Sequence, residues 1–207
     1  NFTNKRSILY LVATPIGNLK EMNPRSIEVL NEVSLIACED TRNTGFLCSH
    51  FGIKKELISL REHNESTASE LVISRLEKGE NVAYLSDAGY PCISDPGKIL
   101  VNKVRRSGYN VSTINGASAF LNALAASSID STHFYFHGFL NSVSSKAKKE
   151  LETLTDKKET LIFYESPHRI EKTIKNLYEV LGNRYITLAR ELTKLNEEYI
   201  EGYLEEF

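Results

Sequence analysis

The chain has 207 residues, with 25 Lys and Arg against 27 Asp and Glu and a formal net charge of −2. Its three cysteines lack the C-x-x-C spacing of thiolate zinc sites, and their odd number excludes a complete disulfide framework. The longest uncharged stretch, residues 107–129, contains too many Ser, Asn, Thr and Gly residues to span a bilayer. No basic and apolar leader opens the chain, so we expect a cytoplasmic protein.

The first half alternates β-rich runs with segments of helical periodicity. Strands are predicted at residues 8–13, 35–38, 57–60, 82–85 and 111–114. Asn23 before Pro24 predicts one helix start, and Asn64 predicts another helix that ends at Gly79. This order favours a doubly wound α/β domain over residues 1–116, with a mainly parallel sheet that binds ligands at the carboxyl ends of its strands.

A second α/β domain is predicted over residues 117–207. Its helices are expected at residues 117–126, 146–154 and 170–181, and its strands at residues 134–140, 160–164, 185–189 and 198–204. The last strand ends abruptly at the chain terminus, so we expect that a C-terminal piece is missing.

Several nucleotide-binding and metal motifs are absent. No two of the 11 glycines lie two residues apart, which excludes G-x-G-x-x-G, and Cys92 stands where a P-loop ending at Gly97 and Lys98 would need its first glycine. There is no H-E-x-x-H motif. His133 and His137 lie four residues apart in a predicted strand, where a partly buried pair is a better interpretation than metal ligands, so no metal is expected.

Ser118 lies in a segment similar to a nucleophile elbow, because residues 116–119 (GASA) follow a strand and open a helix. Phe120 stands where the last glycine of that motif belongs. The favoured interpretation is that small residues let the helix N-terminus approach a ligand or another backbone segment. A serine hydrolase with a histidine base from elsewhere in the chain stays as an alternative.

Four polar loops follow predicted strands of the first domain: residues 14–19, 39–42, 86–97 and 115–119. Because they share the carboxyl edge of one sheet, we expect them to line one crevice. Each also has a plain structural interpretation. Asp40 and Arg42 would form a surface ion pair, and Asp95 would cap the helix that follows Pro96.

Six segments recur together in one known family: residues 10–19 (YLVATPIGNL), 39–42 (EDTR), 63–65 (HNE), 93–97 (ISDPG), 163–169 (FYESPHR) and 189–194 (ARELTK). On these segments the chain resembles the ribosomal RNA small subunit methyltransferase I family, from Leu9 to Gly202. Two segments depart from the family pattern. Residues 90–92 (YPC) replace Thr-Pro-Gly, and residues 115–119 (NGASA) replace Pro-Gly-Pro-Ser-Ala.

The resemblance implies a two-domain tetrapyrrole-methylase-like fold, with a mixed sheet in the C-terminal domain. It also implies S-adenosylmethionine bound in the cleft between the domains, and a homodimer. The implied reaction is methylation of a cytidine 2′-hydroxyl in the decoding region of 16S ribosomal RNA, in the small ribosomal subunit. No metal is needed for this methyl transfer.

The resemblance assigns cofactor contacts to residues at the ends of strands in both domains. Small residues and main-chain atoms suit a ligand with an apolar ring, a ribose and an amino-acid end. The residues predicted to bind the cofactor are Pro15, Ser86, Asp87, Ala88, Ile93, Ser118, Ala119, Phe163, Tyr164 and Ala189.

Methyl transfer to a hydroxyl needs a nearby base and accurate positioning. The candidate bases are Asp40, which is preferred because it follows a strand, then His63, Glu39 and Glu65. Arg42 is predicted to hold the neighbouring phosphate by a bidentate contact.

Since the net charge is close to zero, RNA would have to be held by local positive charge. The residues predicted to contact RNA are Arg42, Arg61, Arg169 and Lys148, the last together with Lys146 and Lys149 on a Lys-rich helix. A methylase acting on a small, tetrapyrrole-like substrate stays open as an alternative. Residues 39–42 and 163–169 favour ribosomal RNA, because both motifs belong to the rRNA branch of the family.

Overall fold

The computed structural model describes residues 3–207, and the chain divides after Ser118 into two compact units. The division falls two residues beyond the predicted boundary at Gly116. The strands of the first unit are β1 (Ile8–Val12), β2 (Leu35–Cys38), β3 (Glu56–Ser59), β4 (Val82–Leu85) and β5 (Asn110–Ile114). Its helices are α1 (Pro24–Glu32), α2 (Thr41–His50), α3 (Glu65–Glu77) and α4 (Lys98–Arg106).

The five strands form one fully parallel sheet in the order β3-β2-β4-β1-β5. Every residue of β2 and β4 is buried, because helices cover both faces of the sheet. Leu30 of α1 packs on one face with Ile36 and Leu85, while Leu76 of α3 and Leu100 of α4 pack on the other. The predicted doubly wound domain with a mainly parallel sheet is confirmed.

Helix α2 is the element of this unit that the sequence analysis does not identify, because Thr41 and Arg42 read as part of a polar loop. Gly45 has a low helix propensity, and the apolar periodicity of the segment is weak. The Asp40 carboxylate starts it by accepting the backbone N–H of Arg42 at 2.9 Å. Asp40 is therefore a helix cap, and the predicted surface ion pair with Arg42 is wrong.

The second unit contains α5 (Ala119–Ala126), β6 (Phe134–Phe139), α6 (Ser144–Glu152), β7 (Thr160–Tyr164), α7 (Ile170–Leu181), β8 (Tyr185–Arg190) and β9 (Glu198–Tyr203). Strands β6 and β7 pair in parallel, and β8 and β9 pair antiparallel. The predicted mixture of strand directions is present, in two separate two-stranded sheets. Leu140, Leu151 and Leu154 form its buried core, with Leu177 and Leu181 of α7 packed against them.

Helix α4 begins without a side-chain cap of its own. Its first backbone N–H groups, those of Gly97 and Leu100, donate instead to Oε1 of Glu65 on α3, at 2.8 and 3.4 Å. Asp95 does not cap this helix, contrary to the sequence-based interpretation. A carboxylate from another helix accepts these N–H groups, and its negative charge interacts favourably with the positive end of the helix dipole.

None of the helices in residues 3–207 combines the length and the apolar character needed to cross a membrane.

Gly97 provides a test of the loop between β4 and α4. Its φ of +131° disfavours any side chain, and a Cβ would lie 2.6 Å from Cys92 Sγ and 3.0 Å from the Tyr84 ring. We expect Gly97→Ala to lower the free energy of unfolding by about 2 kcal/mol, measured by urea denaturation. Gly45→Ala is the matched control. It lies inside α2 with open space around it and should raise stability by up to about 1 kcal/mol. Equal effects of the two substitutions would contradict this account of the loop.

Candidate active site

The register of β2 and β4 places two acidic loops side by side. Cys38 pairs with Leu85, and the next backbone group, the N–H of Glu39, donates to the Leu85 carbonyl at 3.2 Å. Asp87 follows Leu85 by two residues, so its side chain emerges at the same carboxyl edge of the sheet. This edge contains the point where the strand order reverses, which is where doubly wound sheets bind ligands.

Glu39, Asp87 and Asp95 form a cluster of carboxyl groups at this edge. Burial, a side-chain hydrogen bond with Asp87 and the charges of Asp87 and Asp95 together raise the pKa of Glu39 to about 7. Burial and the charge of Asp87 also raise the pKa of Asp95 to about 6. Two carboxyl groups can hydrogen-bond to each other only when one of them is protonated, so this cluster gains or loses a proton near neutral pH.

Arg61 counteracts this effect and also orients the backbone at Glu39. Its Nε donates to the Glu39 carbonyl at 2.9 Å, and its positive charge lowers the pKa of the Glu39 carboxyl. The Arg61 backbone N–H in turn donates to Asn64 Oδ1 at 2.6 Å. Arg61, predicted to contact RNA, therefore lies next to the carboxyl cluster.

The other candidate bases have different environments. The Asp40 carboxylate is occupied at the N-terminus of α2. Glu65 is only 5% exposed and accepts the N–H groups at the start of α4, so it is not available as a base. His63 lies exposed in a turn, and among residues 3–207 it forms no hydrogen bond or ion pair. The structure therefore favours Glu39 over Asp40, and it adds Asp95 to the site.

The loop after β1 joins this edge through backbone hydrogen bonds. The N–H of Thr14 donates to the Gly89 carbonyl at 3.1 Å, and the N–H of Gly89 donates to the Thr14 carbonyl at 3.0 Å. Ser86 Oγ donates within its own loop to the carbonyls of Ala88 and Gly89. Four residues predicted to bind the cofactor, Pro15 and residues 86–88, thus belong to two loops that are tied together.

The segment after β5 packs against the same loops. A Cβ on Gly116 would lie 2.7 Å from the Ala13 Cβ, and one on Gly89 would lie 3.5 Å from the Ala117 carbonyl oxygen. These contacts bring residues 116–118 to the carboxyl edge of the sheet. The predicted convergence of the loops after β1, β2, β4 and β5 is confirmed.

The two segments that depart from the family pattern are joined by a hydrogen bond. Tyr90 Oη donates to Asn115 Oδ1 at 3.1 Å and accepts the backbone N–H of Gly116 at 3.4 Å. Cys92, which replaces a glycine of the family pattern, has a φ of +73°, in the left-handed region that glycine adopts most easily. Ile93, another predicted cofactor residue, follows Cys92 and is exposed.

In the second unit, two predicted cofactor residues lie near the start of α5. Ala119 is its first residue, and the Oη of Tyr164 accepts the Phe120 N–H at 3.2 Å. Phe163 packs against the core of this unit, so its side chain is occupied there. Ala189 lies on β8 and pairs with Tyr199 of β9.

Two of the predicted RNA-binding cations are paired. Lys148 Nζ lies 2.6 Å from Glu179, and Arg169 Nε lies 3.3 Å from the buried Glu165 carboxylate. Arg42 is exposed at the start of α2, and its side chain has no ion pair in the described part of the chain. Arg42 is therefore the predicted RNA contact whose charge is most available.

Metal ligation by His133 and His137 and a serine hydrolase built on Ser118 receive no structural support. Residues 3–207 contain no group of three or more His, Cys, Asp or Glu residues suited to a metal ion. His137 is oriented by Tyr135 Oη at 3.2 Å and by Glu150 at 3.9 Å. Within the same residues, no histidine hydrogen-bonds to Ser118, as a serine hydrolase would require.

Comparisons with known proteins place this architecture in a family. The model of the tetrapyrrole (corrin/porphyrin) methylases matches residues 8–207. The chain belongs to the tetrapyrrole methylase family.

Its similarity to one group of relatives is strong. Ribosomal RNA small subunit methyltransferase I of Haemophilus influenzae is 49% identical over 193 residues, which are 93% of this chain and 68% of that protein. The protein of the same name from Bacillus subtilis is 47% identical over 206 residues, 100% of this chain and 70% of that protein. The resemblance seen in the sequence motifs is confirmed.

A solved structure supports the fold. Uroporphyrin-III-C-methyltransferase from Thermus thermophilus aligns with a TM-score of 0.65 over 98% of this chain and 87% of that chain. The sequence identity is 20%, so this likeness concerns the fold alone.

The raised pKa of Glu39 predicts a specific dependence of stability on pH. A carboxyl group whose pKa rises on folding stabilises the protein below its unfolded pKa, and this contribution is lost as the pH rises through the folded value. Stability should therefore fall between about pH 4.5 and pH 7. We expect Glu39→Gln to flatten this fall in urea denaturation series. Glu70→Gln, at an exposed position of α3, should leave the slope as in the parent, and an unchanged slope in Glu39→Gln would contradict the assignment.

Proposed function

We propose that the chain is an S-adenosylmethionine-dependent methyltransferase acting on a cytidine 2′-hydroxyl in the decoding region of 16S ribosomal RNA. Its relatives of 44–49% identity are named ribosomal RNA small subunit methyltransferase I, which supports RNA as the substrate. The observation that carries the chemistry is the half-buried Glu39 carboxyl, whose pKa of about 7 suits a general base.

The first unit has a chemistry that fits S-adenosylmethionine, which carries a sulfonium and an ammonium cation. Asp87 and the neighbouring carboxyl groups complement positive charge, and the loop at residues 86–89 offers backbone groups beside small side chains. When bound, the cofactor supplies the methyl group. Pro15, Ser86, Asp87 and Ala88 would hold it in this unit, and Ile93, Ser118, Ala119, Tyr164 and Ala189 stay predicted contacts.

Glu39 would accept the proton that the ribose hydroxyl loses as its oxygen forms the new bond to carbon. A base with a pKa near the working pH balances the fraction that is ionised against its proton affinity. Burial and Asp87 raise the pKa of Glu39, and Arg61 lowers it, so together they set this balance. Arg42 would hold a phosphate of the same RNA strand by paired hydrogen bonds.

A cytoplasmic location, a homodimer and RNA contacts by Arg169 and Lys148 belong to the same proposal. The ion pairs of Arg169 and Lys148 reduce the charge that these side chains offer to phosphate. Arg42 therefore carries the larger part of the expected RNA contact.

Glu39→Gln tests the catalytic proposal. In assays with labelled S-adenosylmethionine and unmethylated small ribosomal subunits, we expect kcat to fall by about 10²- to 10⁴-fold, because the base is lost. Calorimetry in the presence of a chelator should still show saturable binding of S-adenosylmethionine, at one per chain. Asp40→Asn is the control: its amide oxygen can still cap α2, so kcat should stay within a few-fold of the parent value.

The same experiment distinguishes the alternatives. The modified nucleotide should map to a cytidine 2′-oxygen in the decoding region. Methylation of a corrin or porphyrin in place of RNA would support the small-substrate alternative. Full activity of Glu39→Gln would remove Glu39 from the mechanism.

Arg42→Ala tests the RNA side of the site. Loss of a hydrogen bond to a charged group is worth about 1.5 to 3 kcal/mol, so we expect methylation efficiency to fall by roughly tenfold or more while the affinity for S-adenosylmethionine is kept. Arg106→Ala, at the exposed end of α4, is the control for removal of one positive charge. Loss of cofactor binding in Arg42→Ala would show that the side chain serves the cofactor instead.

A further inference from the structure

A small pocket opens beside the carboxyl edge of the first unit. Its volume is about 200 Å³, below the ~300–1,000 Å³ of sites for drug-sized ligands, so it suits a single planar ring. Pro15, Leu19 and Phe46 supply apolar walls, and Thr14, Asn43 and Asp87 supply polar groups.

Phe46 is the most unusual feature of this pocket. The residue is 72% exposed on α2, whereas Thr44 and Cys48 of the same helix are buried against the sheet. The ring therefore contributes little to the core. An exposed aromatic ring at the mouth of a pocket provides a flat apolar surface, and unstacked RNA bases are commonly held on such rings.

The polar groups of the pocket match the edge of a base. Asn43 lies one helical turn before Phe46, so both side chains are on the same side of α2, and its amide offers both donors and an acceptor. Thr14 is 2% exposed, and its Oγ1 has no hydrogen-bond partner. A buried hydroxyl without a partner is costly, and a bound polar ligand would provide one.

We propose that this pocket receives the base of the nucleotide whose ribose is methylated, stacked on the ring of Phe46. This inference rests on the proposed function and extends it to base recognition. Asp87 belongs both to the pocket and to the carboxyl cluster with Glu39, so a base held here keeps its ribose close to the proposed general base. Arg42, next to Asn43 in the first turn of α2, is placed to contact a phosphate of the same nucleotide.

The charge on the α2 side of the pocket favours a nucleotide of RNA there. Pro15, Ser86 and Asp87 also line the pocket, and they are predicted cofactor contacts, so the cofactor is expected on their side. Arg42 precedes Asn43 on α2, is exposed and has no ion pair in residues 3–207, and its guanidinium attracts the negative phosphate of a nucleotide.

Phe46→Ala tests this assignment in methylation assays at varied concentrations of unmethylated small ribosomal subunits. We expect KM for the subunit to rise by roughly tenfold, the change that about 1.4 kcal/mol of lost base stacking produces. The affinity for S-adenosylmethionine should stay as in the parent. Phe46→Tyr keeps the ring and should restore KM. Leu71→Ala, which removes an exposed apolar side chain of α3, is the control and should leave both values unchanged.

A second measurement does not require activity. The chain contains ten tyrosines but no tryptophan, so Phe46→Trp introduces a single tryptophan whose emission can be excited selectively. We expect an RNA oligonucleotide with the decoding-region sequence to quench its emission through stacking, and S-adenosylmethionine alone to leave the emission unchanged. Leu71→Trp should not be quenched.

The outcomes separate the two proposals. A parent protein without methyltransferase activity on small subunits would overturn the proposed function, while RNA quenching of Phe46→Trp would still support a base-binding pocket. An active parent with an unchanged KM in Phe46→Ala would overturn the pocket assignment alone. Loss of S-adenosylmethionine affinity in Phe46→Ala would assign the pocket to the cofactor and overturn base recognition.

Discussion

The parallel pairing of β2 with β4 is the constraint on which the site depends. Both strands are buried over their whole length, so polar side chains are excluded from them and appear only where the strands end. Because Cys38 and Leu85 are paired, the residues that follow them emerge together at the carboxyl edge. The backbone pairing of the two strands therefore places Glu39 and Asp87 close together, whatever their side chains are. Helices α1 to α4 maintain this arrangement by covering both faces of the sheet.

This geometry has an energetic cost that also gives the site its chemistry. Several carboxyl groups at one half-buried edge ionise less readily than in water, since each loses water and each repels the others. Ionisation of this cluster near neutral pH costs stability, and ionisable groups with strongly shifted pKa values are typical of functional sites. Arg61, held by Asn64, limits the cost by placing one positive charge near Glu39.

The departures of this chain from its family pattern are local and connected. Tyr90 and Asn115 stand in different loops, and each replaces the residue usual in the family, yet they form a hydrogen bond with each other. The Tyr90 hydroxyl also accepts the N–H of Gly116, so one side chain serves both neighbours. Tyr90 and Asn115 therefore fasten the loop after β4 to the loop after β5. Cys92, in contrast, costs stability, because it holds a left-handed backbone conformation that glycine adopts without strain.

The sequence by itself determined the strands, the order of the elements and the family. Apolar runs of four or five residues between turn-forming residues are strong local signals, and the motifs that carry the resemblance lie on the loops that follow such runs. The sequence did not reveal helix α2, because Gly45 and polar residues weaken its helical periodicity. An aspartate that caps a helix cannot be distinguished by sequence from a catalytic one. Only the tertiary structure showed that Asp40 caps α2, that Glu65 caps a distant helix, and that Glu39 and Asp95 lie in one carboxyl cluster. A residue's pKa and partners depend on burial and on neighbours far away in the chain, and these are properties of the packed structure.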